Sequence, residues 1–311
     1  MNVHKAPSLI RPAKVGIIAP ASAPRADHRY DEGLNGLRSV GLEPVFKRSS
    51  IAHDGYLAGT DEERLNELNS FLADADVDTL ICVRGGYGVL RILDQVDYDM
   101  ARQHPKLLVG YSDITALQLA LFAHAGWVSI SGPMVAVEWH DPKGLACSDF
   151  LALAGSDLPT GPLDPDSPLT TFVPGSAEGV LLGGNLSLIT RLIGTPHLPD
   201  LSGAILFLEE VGESPYRVDG LLAHLQLAGI LESLAGVVLG GFTESDAEPD
   251  KPSLTMEQVF DDYFGDLGIP VCSGLRYGHF HEKIAVPIGV KCRLEAGAET
   301  GTIMLLESPT A

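Results

Sequence analysis

Basic residues are scarce in this chain. Its 311 residues include 21 Lys and Arg against 41 Asp and Glu, a formal net charge of -20 with the ten histidines neutral. A nucleic-acid surface needs a basic patch, and no Lys/Arg cluster occurs, so nucleic acid is excluded as a partner. The acidity reads as a source of solubility. Cysteine is also sparse: Cys82, Cys147, Cys272 and Cys292 lie far apart with no C-x-x-C. That spacing excludes a disulfide framework and implies free thiols in a reducing compartment. No apolar run approaches the ~20 residues of a membrane helix. Lys5, Arg11 and Lys14 precede "VGIIAPASA" in the manner of a secretory leader. Its apolar core at 15–19 is shorter than the roughly 7–15 residues a leader needs, and Pro20 ends it. A first strand and a cytoplasmic location are expected, with no membrane partner. Internal repeats and low-complexity tracts are missing. So are G-x-G-x-x-G and G-x-x-x-x-G-K-[ST], which leaves a dinucleotide site and a Rossmann oxidoreductase without support.

What is present is an ordinary globular composition, 45% hydrophobic and 20% charged, long enough for one large or two medium domains. The first part alternates. Strands are predicted at 14–19, 43–46, 79–83, 107–110 and 128–131, and helices at 29–40, 61–73, through "GGYGVLRIL" and at 114–125. Acidic residues open the 61–73 helix, which suits the helix dipole. Such alternation implies βαβ units and a parallel sheet covered on both faces. Residues 140–178 break the rhythm with Pro, Gly, Asp and Ser. The resulting division is 1–140, an α/β N-terminal domain, 141–178, a linker or specificity loop, and 179–311, a smaller α+β domain. In the last, strands are predicted at 179–182, 204–208, 236–239, 270–272, 284–290 and 302–306, and helices at 216–228 and 255–264.

Candidate chemistry gathers at strand exits, where α/β sheets bind ligands. In "PKLLVGYSDITALQLAL", Ser112 stands at the hinge between a buried strand and a helix. A sharp turn there projects the hydroxyl and sets helix N–H groups beside it as oxyanion donors. The G-x-S-x-G of a nucleophile elbow is absent, and a plain helix cap with Asp113 in the first turn is the competing reading. "CVRGGYG" at 82–88 is a second such exit, whose paired glycines allow close backbone approach. There the Gly86 amide would face Ser112, and an ordinary βα turn is the competing reading. A serine needs a base, and the base an orienting partner. "GLRYGHFHEKIAVPIG" sets His279 at a strand exit. His279-x-His281-Glu282 also suggests metal ligands, with alternate positions on one strand face, but no third ligand of recognisable spacing joins that pair, so no metal is expected. "AILFLEEVGESPYRVD" drives an apolar strand into Glu209 and Glu210. A carboxylate there is costly to desolvate unless paired, and solvent exposure of both is the competing reading.

Taken together the motifs resemble the LD-carboxypeptidase family of serine peptidases, which holds murein tetrapeptide carboxypeptidases and microcin C self-immunity peptidases. The resemblance rests on "IAPAS" at 18–22, "RGGYG" at 84–88, "PKLLVGYSDITAL" at 105–117, "GVLLGGNLSLI" at 179–189, "LFLEEVGESPYRVD" at 206–219 and "GHFHEKIAVPIG" at 278–289. It implies Ser112 as nucleophile, His279 as general base and Glu209 as its orienting partner, with Gly86 and Asp113 supplying oxyanion-hole amides. It also implies a Rossmann-like N-terminal domain, a barrel-like C-terminal domain, a homodimer and no cofactor. The implied reaction is hydrolysis between an L-centre and a terminal D-amino acid, as in release of D-Ala from murein tetrapeptide during peptidoglycan recycling. Arg84 and Arg217, in family motifs, are candidates for the terminal carboxylate of such a peptide, and Asn185 for another substrate contact. Strand alternation lets only one of Glu209 and Glu210 reach the histidine, and family spacing favours Glu209.

Two other functions remain open. One is an immunity peptidase cleaving a peptidyl or aminoacyl nucleotide, for which Trp139 or Phe172 would have to stack on a base. Immunity members tend to carry Asn or Ser after the paired glycines, so "RGGYG" favours the murein branch. The other is a non-catalytic α/β ligand-binding protein.

Overall fold

A computed structural model describes residues 2–48, 51–159, 161–247 and 251–311; Thr160, in the expected loop, lies outside them. The first half alternates: β1 (Ala13–Ile18), α1 (Asp27–Ser39), β2 (Leu42–Val45), α2 (Asp61–Leu72), β3 (Thr79–Cys82), α3 (Tyr98–Gln103), β4 (Leu107–Gly110), α4 (Ile114–Ala125) and β5 (Ser129–Ser131). The five strands are parallel in the order β2-β1-β3-β4-β5. Every residue of β3 and β4 is buried, as apolar runs between two helical layers require. α2 starts on a capping box in which Thr60 and Glu63 satisfy each other's amides. α4 is apolar on all sides and almost wholly buried, and ends on left-handed Gly126.

The helix expected through "GGYGVLRIL" is replaced by two single-turn 3-10 segments at 89–91 and 93–95. Gly86 and Gly88 hold φ at +108° and +130°, outside helical space, so the chain enters too late to form α-helical turns.

Residues 141–178 contain α5 (Leu145–Ala154), β6 (Gly161–Pro162), β7 (Leu169–Val173) and the start of β8 (Gly175–Asn185). The expected linker or loop is therefore largely regular structure. It continues through α6 (Leu186–Leu192), β9 (Ile205–Val211), α7 (Pro215–Leu227), β10 (Gly236–Thr243), α8 (Met256–Phe264), β11 (Val271–Ser273), β12 (Val286–Ile288), β13 (Val290–Ala296) and β14 (Thr300–Leu305). Strands β8-β9-β10-β11-β7-β14-β13 form a ring, closed because β13 pairs with β8 as well as β14; β6 extends from β14. This is the barrel-like sheet of the C-terminal half. The single strand expected at 284–290 divides: β12 crosses back to pair antiparallel with β5 in the first sheet, while β13 enters the barrel. The crossing ties the segment after His279 to the sheet that carries Ser112.

All four cysteines are buried and unpaired. Among the described residues no helix is long and apolar enough to cross a membrane.

Candidate active site

Ser112 lies between β4 and α4 with φ +66°, one of two non-glycine residues with positive φ among those described. A non-glycine residue held left-handed costs roughly 1–2 kcal/mol and persists only where its surroundings impose it. The helix-cap reading fails, since no side chain caps α4 and the Ser112 hydroxyl makes no hydrogen bond among the described residues. Asp113 points elsewhere: its carboxylate is buried and accepts from the Val89 amide at 2.9 Å. Burial pushes its pKa up to about 6, and the Val89 hydrogen bond opposes the rise.

That contact ties the Ser112 turn to the glycine turn. Ser22 holds the glycine turn from a third loop: its amide donates to Gly85 O at 3.3 Å, and its hydroxyl accepts from the Tyr87 amide at 3.1 Å. A Cβ on Gly86 would stand 2.4 Å from Ser22 Oγ, and one on Gly85 would stand 3.2 Å from Ser112 Oγ. Only glycines allow this approach. Gly86 is exposed, and neither its amide nor that of Asp113 has a hydrogen-bond partner among the described residues.

His279 Nδ1 lies 2.7 Å from Glu209 Oε2. Tyr111, the residue before Ser112, meets the His279 ring edge-on with centroids 5.3 Å apart, which brings β4's exit and the β11–β12 connection to one crevice. Ser112 Oγ and the imidazole share no hydrogen bond among the described residues; catalytic hydrogen bonds of this kind commonly tighten only when substrate closes the geometry.

Glu209 and Glu210 are both buried, so solvent exposure at the strand exit is not what the fold does with them. Asn185, beside Glu209 in register, donates from Nδ2 to Glu209 Oε1 at 3.2 Å and Glu210 Oε1 at 3.0 Å. Glu210 turns away from the histidine, accepting from the amides of Ser187 at 2.8 Å and Val211 at 2.9 Å. Asn185 Oδ1 also caps α6 by accepting from the Leu188 amide. The residue is only 3% exposed, and its side chain belongs to the hydrogen-bond network of the two glutamates.

A cavity of about 430 Å³ opens beside His279, lined by Tyr111, Glu138, Asp141, Cys147 and Lys283 among others. α5 forms one wall, so the segment expected to carry specificity does border this space. Lys283 pairs with Glu138 at 2.6 Å and lies 3.9 Å above the Tyr111 ring, while Tyr111 OH donates to Glu138 at 2.9 Å. The sequence reading missed this trio. "HEK" does place a cation beside the Gly-His pair, but nothing local pairs it with Glu138.

Arg84 stays with the glycine turn, donating to Ala23 O at 3.2 Å. Arg217 does not join the site: it lies on α7, paired with Glu213 at 3.4 Å. Trp139 is fully buried against Phe150 and is closed to a stacking base.

Residues 15–132 match the model of the LD-carboxypeptidase N-terminal domain and residues 178–294 that of the LD-carboxypeptidase C-terminal domain. The chain is 37% identical over 302 residues to the probable murein peptide carboxypeptidase of Bacillus subtilis strain 168, covering 96% of this chain and 94% of that one. The crystal structure of muramoyltetrapeptide carboxypeptidase from Oxalobacter formigenes superposes with a TM-score of 0.84 at 31% identity, over 96% of this chain and all (100%) of that one. An inactive mutant of the microcin C7 self-immunity protein MccF, without ligand, shares the fold with a TM-score of 0.88 at 24% identity over 99% of each chain.

Proposed function

The chain belongs to the LD-carboxypeptidase family, and from that membership and the crevice geometry we propose that it is a serine carboxypeptidase removing a terminal D-amino acid from an L-centre. The observation that carries the proposal is the His279–Glu209 pair at 2.7 Å, reaching the crevice where Ser112 is held left-handed. Glu209 keeps the proton on Nδ1 and leaves Nε2 as the base. His279 Nε2 takes the Ser112 proton as Oγ attacks the scissile carbonyl, and the buried Glu209 stabilises the imidazolium that forms. The exposed Gly86 amide and the Asp113 amide receive the oxyanion, each contributing roughly 3–4 kcal/mol in comparable sites. His279 returns the proton to the leaving amine. Water, deprotonated by the same nitrogen, then releases the acyl group from Ser112.

The names of the relatives support a murein tetrapeptide as substrate; from the family resemblance we carry over D-Ala as product and peptidoglycan recycling in the cytoplasm as the setting. Buried Trp139, and Phe172 half-buried on β7 against the core, count against the nucleotide substrate. From the family resemblance we also carry over a homodimer, which sedimentation equilibrium tests. The functional test sets murein tetrapeptide beside an aminoacyl sulfamoyl adenosine and reads both by mass spectrometry. Loss of D-Ala from the tetrapeptide is expected; cleavage of the nucleotide alone would overturn the substrate assignment.

A further inference from the structure

Two arginines, one on the glycine turn and one in the loop it bonds, have no acid among the described residues. Arg25 is exposed in the connection from β1 to α1, and Arg84 is half-buried just after β3. The bond from Arg84 Nη1 to Ala23 O, at 3.2 Å, sets its guanidinium against the loop that carries Arg25. Arg84 Nη2 lies 3.4 Å from where a Gly86 Cβ would stand. The Arg84 charge thus borders the turn that offers the Gly86 amide, and Arg25 stands two residues along the chain from Ala23, which Arg84 bonds. Among the described residues neither arginine forms an ion pair, although the chain carries 41 acidic side chains to 21 basic ones. Burial, and then the charge of Arg25, hold the Arg84 guanidinium below its usual range. An anion between them would relieve both costs.

Two other cations are spent. Lys283 is paired with Glu138 and covered by the Tyr111 ring, and Arg217 lies away on α7 with Glu213. The cavity beside His279 adds Asp141 and Glu282 to its lining, which repel an anion.

We propose that Arg25 and Arg84 clamp the free α-carboxylate of the substrate's terminal residue on the leaving-group side of Ser112. The proposal rests on the peptidase reading above and deepens it, because it makes the terminal charge the feature that restricts cleavage to the last residue. A peptide ending in an amide lacks that charge.

The test measures binding in the Ser112→Ala protein by calorimetry, with murein tetrapeptide as the terminal free acid and as the terminal amide. The acid should bind about 10- to 100-fold more tightly, the range for a charge-assisted contact. Arg84→Met and Arg25→Gln should each weaken the acid and leave the amide unchanged; together they should abolish the discrimination. Arg84→Lys should restore part of it, which a purely structural role would not. Arg25 is exposed, so Arg25→Gln carries the test if Arg84→Met fails to fold. The proposal falls if the parent does not discriminate, if it binds neither peptide, if the double variant still discriminates, or if acid and amide weaken together. Hydrolysis by the Ser112-containing protein separates the two readings. Discrimination through the arginines without hydrolysis sinks the peptidase and keeps the clamp. Hydrolysis with discrimination indifferent to the arginines sinks only the clamp.

Discussion

His279 and His197 each hold a ring nitrogen against a carboxylate, at 2.7 Å from Glu209 and 2.9 Å from Asp94. The surroundings differ. The Glu209 side chain is 0% exposed and the Asp94 side chain 90%. His197 spends its second nitrogen on His124 Nε2 at 3.1 Å, with Tyr98 OH at 3.4 Å. The second nitrogen of His279 has no partner among the described residues and shares a crevice with a serine held left-handed. A histidine–carboxylate pair is thus a common structural element. It becomes a candidate base when the acid is desolvated, the far nitrogen is unspent and a nucleophile lies within reach of closure.

The comparison breaks most sharply under mutation. His279→Ala should lower kcat on murein tetrapeptide by about 10⁴-fold or more, while His197→Ala should change it by less than about threefold. Comparable losses in both would dissolve the distinction. Next, Glu209→Gln leaves the packing and removes the charge that selects the tautomer, so kcat should fall about 10³- to 10⁴-fold. Asp94→Asn, on the exposed acid, should leave kcat unaltered.

Stability effects are smaller. Asn185→Ala strips a donor from two buried carboxylates, and urea denaturation should show a loss of about 1–3 kcal/mol. Ser112→Gly should move the other way, gaining about 1 kcal/mol by relieving the left-handed backbone while abolishing activity. A loss of stability would mean the turn is not strained.

The smallest effect is one of pH. Burial and then the charge of His197 lower the His124 pKa from 6.5. The folded protein therefore binds this proton less readily than the unfolded chain. The associated stability is present above about 6.5 and is lost as pH falls below it. Replacing His124 by Gln should flatten the acid side of a Tm–pH curve, with no matching change at neutral pH.

How much of this was legible depended on range. Local pattern sufficed for β3, β4 and α4, and for the hinge that exposes Ser112, since each is a short apolar run ended by a turn residue. The paired glycines were legible as a close approach, but their helical continuation was not a helix: "VLRIL" has the spacing, and the positive φ at Gly88 overrides it. α5 was hidden because "LACSDFLALA" is flanked by Pro, Gly and Asp on both sides. The hydrogen-bond partners of Asn185 and Glu210 were not legible for one reason: adjacent residues on a strand gain their partners from neighbouring strands, here β8 beside β9. No single segment records that register. Nor does any segment record the return of β12 to the first sheet, or the bond from Arg84 to Ala23 O across 61 positions of chain.

The most direct test of the central claim is D-alanine release from murein tetrapeptide by Ser112→Ala, measured beside the unaltered protein under identical conditions. The account predicts release by the unaltered protein and a fall of at least about 10⁴-fold in the variant, with unchanged folding by circular dichroism. Release by Ser112→Ala within tenfold of the unaltered protein would contradict it.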